Sequence, residues 1–151
     1  MSTANMNCLG LVGLGLIGSS IARAAIEYGL AEKIVGYDSD DSVCRRFEAL
    51  GLAGECSAES PEILHDCDMV ILAVPIGAYA DVCHTISPVM KKGAILCDTG
   101  SVKKAAIDYM NGALPDHVHM VPGHPIAGTE HSGPDAGFAT LFDGRWCILT
   151  P

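Results

Sequence analysis

The sequence predicts a single α/β domain, spanning residues 1–151, with a doubly wound and mainly parallel sheet. Three observations support this class. Short apolar runs alternate with stretches of helical periodicity along the chain, as in βαβ units. The run Met69–Val74 is continuously apolar, which is typical of a central parallel strand covered on both faces. Glycines at positions 13, 15 and 18 directly follow the first apolar run, where a helix begins.

Each predicted element has a local signal. Helices are predicted where apolar residues recur three or four positions apart, as Ile17, Ile21 and Ala25 do, and strands where short apolar runs are bounded by turn residues. Gly29 is placed to end the first helix, and Pro75 to end the central apolar run. In chain order the predicted elements are a strand at Cys8–Val12, a helix at Ile17–Tyr28, a strand at Lys33–Tyr37, a helix at Ser42–Leu50, a weak strand at Leu52–Cys56, a short helix from Ser60, a strand at Met69–Val74, a helix at Tyr79–Met90, a strand at Ala94–Cys97, a helix from Val102 to Gly112, and strands at His117–Val121 and Trp146–Leu149.

Two details of this assignment bear on function. Ser39, Asp40 or Asp41 is available to cap the second helix. Between Pro122 and Arg145 the sequence predicts a loop dense in glycine and proline. An ordered loop of this length in a small domain is more often functional than incidental.

The composition narrows the classes of partner and cofactor. With 49% hydrophobic and 18% charged residues, the chain has the content of a folded core. Its net charge of −9, from nine Lys and Arg against eighteen Asp and Glu, argues against nucleic acid and against an anionic membrane. Seven cysteines are dispersed without C-x-x-C spacing, so neither a metal site nor a disulfide framework is expected. Met1–Asn7 carries no signal-peptide pattern, which predicts a cytoplasmic location.

The glycine-rich turn predicts a dinucleotide site of the Rossmann type. Gly13 permits the tight turn, Gly15 lets the backbone approach a pyrophosphate, and Gly18 lets the helix pack against the strand. Free N–H groups at the start of the helix, at Leu16 and Ile17, are then expected to face the phosphates.

An acidic residue after the second strand predicts which cofactor binds. Asp38 lies twenty positions after Gly18, where a carboxylate binds the ribose hydroxyls of NAD and repels the 2′-phosphate of NADP. NAD is therefore the expected cofactor, with Ser39 beside its ribose. The alternative is that Asp38 serves only as a turn residue.

Three further segments follow later strands, at the edge where ligands bind in such sheets. They are Val74-Pro75-Ile76, Thr99-Gly100-Ser101 and Gly123-His124-Pro125. We expect these segments to converge on the nicotinamide end of the cofactor, with Val74, Pro75 and Thr99 contacting it. An imidazole changes its protonation state near neutral pH, so His124 is suited to proton transfer, and Pro125 favours an extended backbone at His124.

Five motifs resemble those of the prephenate/arogenate (cyclohexadienyl) dehydrogenase family. They are Gly-Leu-Gly-Leu-Ile-Gly-Ser-Ser (13–20), Gly-Tyr-Asp (36–38), Ala-Val-Pro (73–75), Asp-Thr-Gly-Ser-Val-Lys (98–103) and Gly-His-Pro-Ile-Ala-Gly-Thr-Glu (123–130). The last two are highly specific, and the resemblance runs through essentially the whole chain.

This resemblance implies an NAD-dependent oxidative decarboxylation in tyrosine biosynthesis, from prephenate to 4-hydroxyphenylpyruvate or from arogenate to tyrosine. In the family, hydride leaves the ring carbon that bears the hydroxyl, carbon dioxide is lost, and the ring becomes aromatic. His124 would take the hydroxyl proton, Ser101 would support the same hydroxyl beside the nicotinamide, and Gly128 and Thr129 fall within the motif that binds substrate. Ser101 also has a simpler interpretation as the N-cap of the following helix.

The resemblance further implies a larger enzyme. The substrate carries two carboxylates, yet the chain offers few cations near the expected crevice, namely Lys103, Lys104 and Arg145. Family members have a second, mostly helical domain that dimerises and supplies substrate-binding residues, and this sequence stops at Pro151, where that domain would begin. We therefore expect a cofactor domain that binds NAD, turns over substrate poorly by itself, and forms a homodimer through the further domain.

Two other interpretations stay open. An NAD-dependent reductase of the 6-phosphogluconate/3-hydroxyisobutyrate type shares the opening glycine motif, although the motif around His124 counts against it. The second alternative is a non-catalytic NAD-binding module.

Overall fold

A computed structural model describes residues 6–150 and shows a Rossmann-type α/β domain, which confirms the predicted fold class. Most of the stretch Met1–Asn7, on which the predicted location depends, lies outside the described residues. No helix formed by residues 6–150 combines the length and the apolar character needed to span a bilayer. The helices and strands are β1 (Met6–Val12), α1 (Leu16–Glu27), β2 (Ala31–Tyr37), α2 (Asp41–Ala49), β3 (Glu55–Ser57), β4 (Met69–Leu72), α3 (Tyr79–Ile86), β5 (Ile95–Asp98), α4 (Lys103–Ala113), β6 (His119–Val121), β7 (Gly123–Pro125) and β8 (Cys147–Leu149). Short 3-10 helices cover Pro61–Leu64, Ile76–Ala78, Ser87–Val89, Pro134–Ala136 and Ala139–Phe142.

Six strands form one parallel sheet in the order β3-β2-β1-β4-β5-β6. The strand order reverses between β1 and β4, and in such sheets ligands bind outside the carboxyl ends of the strands at this point. Helices α3 and α4 cover one face through buried residues such as Ile86 and Met110. Helices α1 and α2 cover the other face through residues such as Ala25 and Phe47. Burial on both faces explains why the central strands are continuously apolar.

Several predicted boundaries shift for local reasons. Helix α3 ends at Ile86, not Met90, because Pro88 has no backbone N–H for an α-helical hydrogen bond. Gly29 has a φ of +60°, and the predicted end of α1 just before it is confirmed. Asp40 is the cap of α2, accepting from the N–H of Ser42 at 2.8 Å. The predicted weak strand starts three residues late, as β3, and the helix from Ser60 is a 3-10 helix.

The stretch between Pro122 and Arg145 departs most from the prediction of a loop. Its first residues form β7, which pairs antiparallel with β8, so these two strands make a separate small sheet. The strand predicted near the end of the chain exists as β8, but it does not join the main sheet. Later in the stretch, the N–H of Phe138 donates to Ser20 Oγ at 3.1 Å, which fastens the 3-10 helices to α1.

Candidate functional site

The central strands end together at one edge of the main sheet, called here the carboxyl edge. The strand pairing aligns Val12 with Tyr37 and Leu72, and Leu72 with Asp98. The residues that follow these four strand ends are Gly13, Asp38, Ala73 and Thr99. Four of the predicted segments therefore open on the same edge.

The three glycines of the turn have different physical roles. Gly13 has a φ of +88°, and a Cβ there would lie 2.5 Å from the carbonyl oxygen of Ala73. A Cβ on Gly18 would lie 2.1 Å from the carbonyl oxygen of Gly13. Both positions therefore require glycine for the fold itself. A Cβ on Gly15 would meet nothing within 4 Å, because Gly15 faces open space.

The start of α1 offers backbone donors to that open space. Gly15 is the N-cap residue, and no side chain caps the helix. Leu16 and Ile17 form its first turn, which contains no acidic residue. Uncapped N–H groups and the helix dipole together favour an anion at this position. The open side of Gly15 and these donors fit a pyrophosphate.

Asp38 links the turn to β2. Its Oδ2 accepts the N–H of Leu14 at 2.9 Å, and its Oδ1 accepts the N–H of Asp40 at 3.0 Å. The carboxylate thus supports the turn, and each oxygen keeps a second lone pair for a ligand. The interpretation of Asp38 as a turn residue and its interpretation as a ribose-binding residue are compatible.

A cavity of about 400 Å³ lies beside the turn. Its lining includes the turn glycines 13 and 15, Asp38 and Ser39, and Val74 and Pro75. Asp81 and Thr85 of α3 also line it. Six of the predicted cofactor residues therefore line a single cavity at the point where the strand order reverses.

Two arginines on α2, the helix that follows Asp38, are paired with carboxylates. Arg45 pairs with Asp41 one turn earlier on α2. Arg46 binds Asp135 through two nitrogens, Nε at 2.9 Å and Nη2 at 2.5 Å. Hydrogen bonding to Arg46 lowers the pKa of the Asp135 carboxyl, which therefore stays ionised. Both guanidinium groups thus have a carboxylate partner.

The end of β5 carries a buried carboxylate. The side chain of Asp98 is fully buried, and its Oδ2 accepts from Tyr79 Oη at 2.9 Å, Lys103 Nζ at 2.5 Å and the N–H of Gly100 at 3.0 Å. Its Oδ1 accepts the N–H of Gly123 at 3.0 Å. Burial, followed by the charge of Asp98, raises the pKa of the Tyr79 hydroxyl, which keeps the proton that it donates.

Thr99 and Ser101 have different environments in the segment after β5. Thr99 Oγ1 donates to the carbonyl of Leu72 at 3.1 Å, so this hydroxyl fastens β5 to β4. Ser101 is exposed, and its predicted role as a helix cap is wrong because Val102 is the N-cap residue of α4. Helix α4 begins one residue later than a Ser101 cap requires. The hydroxyl of Ser101 is therefore not engaged in capping.

His124 lies on β7 and not in a loop. It is half-buried, it is aligned with Ile148 of β8, and Pro125 after it is compatible with the extended backbone. Gly128 and Thr129 follow in an exposed stretch, where Thr129 Oγ1 accepts the N–H of His131 at 3.2 Å.

A second, largely apolar cavity of about 210 Å³ lies between β5 and β8. Thr99 and Pro125 line it, and so does Arg145. Burial raises the pKa of the Cys97 thiol, another lining group, to about 11, so this thiol is neutral. The predicted catalytic residues His124 and Ser101 and the predicted substrate-binding residues Gly128 and Thr129 line neither cavity.

Comparison with known families decides what this chain is. The family described as "Prephenate dehydrogenase, nucleotide-binding domain" matches residues 21–151. The chain belongs to this family.

Individual relatives agree with the family match. Cyclohexadienyl dehydrogenase of Zymomonas mobilis is 43% identical over 143 residues, which make up 95% of this chain and 48% of that protein. The crystal structure of prephenate dehydrogenase from Aquifex aeolicus in complex with hydroxyphenyl propionate and NAD⁺ has a TM-score of 0.90 at 31% identity, covering 99% of this chain and 52% of that one. The chain thus spans about half the length of these relatives. A 3-hydroxyisobutyrate dehydrogenase of Mycobacterium tuberculosis shares only the fold, with a TM-score of 0.68 at 18% identity over 82% of this chain and 42% of that one.

Sequence reasoning missed three side chains of this nucleotide-binding domain. Asp98, Lys103 and Tyr79 form one buried cluster. From the sequence, Lys103 is expected only as a possible cation for the substrate, and Asp98 and Tyr79 have no expected role. An acidic residue at the end of the apolar run Ile95–Asp98, with a lysine five positions later, is a signal for a buried ion pair. Nothing in the sequence around Tyr79 indicates its partner.

Proposed function

We propose that this chain is the cofactor-binding part of a dehydrogenase that uses NAD⁺ to decarboxylate prephenate or arogenate oxidatively. One observation carries the proposal. The glycine turn and the strand that bears His124 both lie at the carboxyl edge, and β7 is attached there through Asp98. β5 lies two strand spacings, about 10 Å, from β1, so a dinucleotide crossing the switch point extends toward it.

The residues that line the cavity beside the glycine turn favour NAD⁺ over NADP⁺. Asp38 would accept hydrogen bonds from the ribose hydroxyls, with Ser39 next to it. Its charge would repel a 2′-phosphate, and Arg45 and Arg46 are held by their own carboxylates. Gly15, Leu16 and Ile17 would hold the pyrophosphate through their backbone. Val74 and Pro75 would line the same site, with Thr99 at the end of β5.

Proton transfer is the task of the chain's own residues. Bound NAD⁺ would supply the hydride acceptor for this reaction. His124 takes the proton of the ring hydroxyl, while Ser101 hydrogen-bonds the same hydroxyl and fixes its orientation. Carbon dioxide leaves with its bonding electrons passing to the ring, which becomes aromatic, and the phenolic oxygen regains a proton from His124.

Substrate carboxylates need cations, and the structure limits which of them this chain supplies. The ammonium group of Lys103 is already paired with Asp98, and Lys104 extends into solvent beside Asp108. Arg145 lines the apolar cavity next to Pro125, so we assign it one substrate carboxylate. Gly128 and Thr129 would form the rim. We expect Arg145→Met to raise KM for prephenate and to leave the Kd for NAD⁺ unchanged, as measured by initial rates and by titration.

A further domain and a dimer complete the proposal. The side chains of Trp146, Ile148 and Leu149 are 82%, 52% and 58% exposed, which is an unusual amount of apolar surface for so short a stretch. We propose that a mostly helical domain packs near them, contributes the remaining substrate-binding residues and forms a homodimer. Analytical ultracentrifugation of the full-length protein and of residues 1–151 should show a dimer only for the former.

We also propose a cytoplasmic location. All seven cysteines are free thiols in the structure, as in reduced compartments. Cell fractionation followed by thiol labelling tests this, and an oxidised, exported protein would contradict it.

The decisive experiment compares two histidine variants of the full-length protein. We expect His124→Asn to lower kcat by about 10²–10⁴-fold, because general-base catalysis is lost, while the Kd for NAD⁺ stays the same. The control is His119→Asn, since His119 is exposed on β6. NADH formation from prephenate and from arogenate gives the rates and identifies the substrate. Unchanged kcat in His124→Asn would remove this histidine from the mechanism, and NAD⁺ binding without turnover of either substrate would favour a non-catalytic module.

A further inference from the structure

The backbone of Gly123, the residue before His124, is held on both sides of its Cα by one ion pair. The N–H of Gly123 donates to Asp98 Oδ1 at 3.0 Å, and the carbonyl of Gly123 accepts from Lys103 Nζ at 2.6 Å. Lys103 Nζ also donates to Asp98 Oδ2 at 2.5 Å. The side chain of Lys103 is 16% exposed and that of Asp98 is 0% exposed, so water competes little for these bonds.

Close packing leaves Gly123 little freedom to move. A Cβ on Gly123 would lie 3.0 Å from the carbonyl oxygen of Asp98 and 3.4 Å from Cys97 Sγ. The β7 backbone therefore rests directly against the end of β5. The position of His124 on β7 follows from this contact and from the bonds of the ion pair.

The same carboxylate also holds the backbone before Ser101. The N–H of Gly100 donates to Asp98 Oδ2 at 3.0 Å. A Cβ on Gly100 would lie 2.8 Å from Tyr79 Oη, whose hydroxyl donates to the same oxygen. One carboxylate thus fixes the residues immediately before His124 and before Ser101, which are 23 positions apart in the sequence.

We propose that Asp98 and Lys103 are positioning residues that hold His124 and Ser101 in register with each other for proton transfer. This inference rests on the proposed function of those two residues. Lys103 acts through the carbonyl group of Gly123 and does not bind the substrate. Loss of its ammonium group frees the Gly123 carbonyl and lets β7 shift relative to Ser101.

Lys91 provides a matched control for this claim. Its ammonium group donates to Asp68 Oδ1 at 2.6 Å, and Asp68 also accepts the backbone N–H groups of Asn7 and Cys8. This second lysine–aspartate pair precedes β4 and β5, at the opposite edge of the sheet. Lys91→Met therefore removes the same kind of interaction far from the proposed reaction.

The test uses four variants of the full-length protein, which are Lys103→Met, Lys103→Arg, Lys91→Met and His124→Asn. We expect Lys103→Met to lower kcat by about 10²-fold, since a displacement of about 1 Å at a reacting group has this effect, with the Kd for NAD⁺ and the KM for prephenate within about threefold of the wild type. Lys103→Arg should recover part of kcat, and Lys91→Met should keep it. In ¹H–¹⁵N spectra, Lys103→Met should shift the amide signals of Gly123 and His124, and Lys91→Met should not. These spectra also report whether each variant is folded.

The possible results separate the two claims. If His124→Asn is inactive and Lys103→Met keeps wild-type kcat, the positioning role is wrong and the proposed function stands. If His124→Asn is fully active, the proposed function fails and the positioning role fails with it. If Lys103→Met unfolds, Lys103→Arg decides, because a folded arginine variant in which the Gly123 and His124 signals shift while kcat stays at the wild-type value contradicts the proposal.

Discussion

Two aspartate–lysine pairs hold opposite edges of the same sheet. Asp68 precedes β4 and binds Lys91 together with two backbone N–H groups. Asp98 ends β5 and binds Lys103 together with two backbone N–H groups and the Tyr79 hydroxyl. The interacting groups of the two pairs are almost the same, but the two pairs differ in how far they are buried. The side chains of the first pair are 31% and 38% exposed, whereas those of the second pair are 0% and 16% exposed.

The two pairs also differ in the edge of the sheet at which they lie, and this position bears on what each pair can do. The Asp68 pair ties the start of β1 to the starts of β4 and β5, where parallel α/β sheets do not bind ligands. The Asp98 pair ties down two segments that carry a predicted serine and a predicted histidine, at the edge where ligands do bind. The two pairs share the same chemistry and differ in their burial and in the residues beside them.

The largest expected effect is on stability at the buried pair. Asp98→Ala leaves the Lys103 ammonium group buried without its counter-ion and leaves backbone donors unpaired, which should lower the free energy of unfolding by about 3–5 kcal/mol. At the partly exposed pair, Asp68→Ala should lower the free energy of unfolding by only about 1 kcal/mol. Urea denaturation monitored by circular dichroism measures both values. Equal losses would contradict the difference in burial between the two pairs.

A glycine at each edge tests where the cofactor binds. Gly15→Ala places a Cβ in the open space beside the helix start and should weaken NAD⁺ binding by about 1–3 kcal/mol, roughly 5- to 150-fold in Kd, with little change in stability. Gly54→Ala, before β3 at the opposite edge, is the control and should leave the Kd unchanged.

Isothermal titration gives both Kd values. Similar affinities for the two glycine variants would argue against pyrophosphate binding at Gly15.

The smallest expected effect is the pH dependence at the exposed pair. Hydrogen bonding to Lys91 holds the pKa of the Asp68 carboxyl below its ordinary value in the folded state. The pair therefore contributes stability above the unfolded pKa of about 3.9, and this contribution is lost as the pH falls through the folded pKa. Asp68→Asn should be less stable than the wild type by about 1 kcal/mol or less near neutral pH, after allowance for solvent screening, and the gap should close below about pH 4. Urea midpoints across this range measure the gap, and a gap that widens in acid would contradict the assignment.

The features that could be predicted from the sequence depend on residues that lie close together along the chain. The spacing of Gly13, Gly15 and Gly18 and the distance to Asp38 follow from one βαβ unit, so the turn and the cavity wall could be placed from the sequence. The strands and helices of the main sheet were found in the same way, with errors of a few residues at their ends.

The parts that were missed depend on contacts between distant residues. Three-residue strands such as β7 and β8 are too short for a periodic signal, so their pairing could not be predicted. The cluster around Asp98 joins Tyr79, Lys103 and Gly123, and its bonds become visible only when α3, α4 and β7 are packed against β5. Ser101 has the right residue type for a cap but lies one position too early.

Titration of ¹⁵N-labelled residues 1–151 with NAD⁺ tests most directly which edge of the sheet is functional. We expect the amide signals of Gly15, Asp38, Ser101 and His124 to shift together, and those of Cys8, Asp68 and Lys91 to stay in place. Shifts that reach Gly15 and Asp38 but spare Ser101 and His124, or shifts centred on Asp68, would contradict a common site for the cofactor and His124.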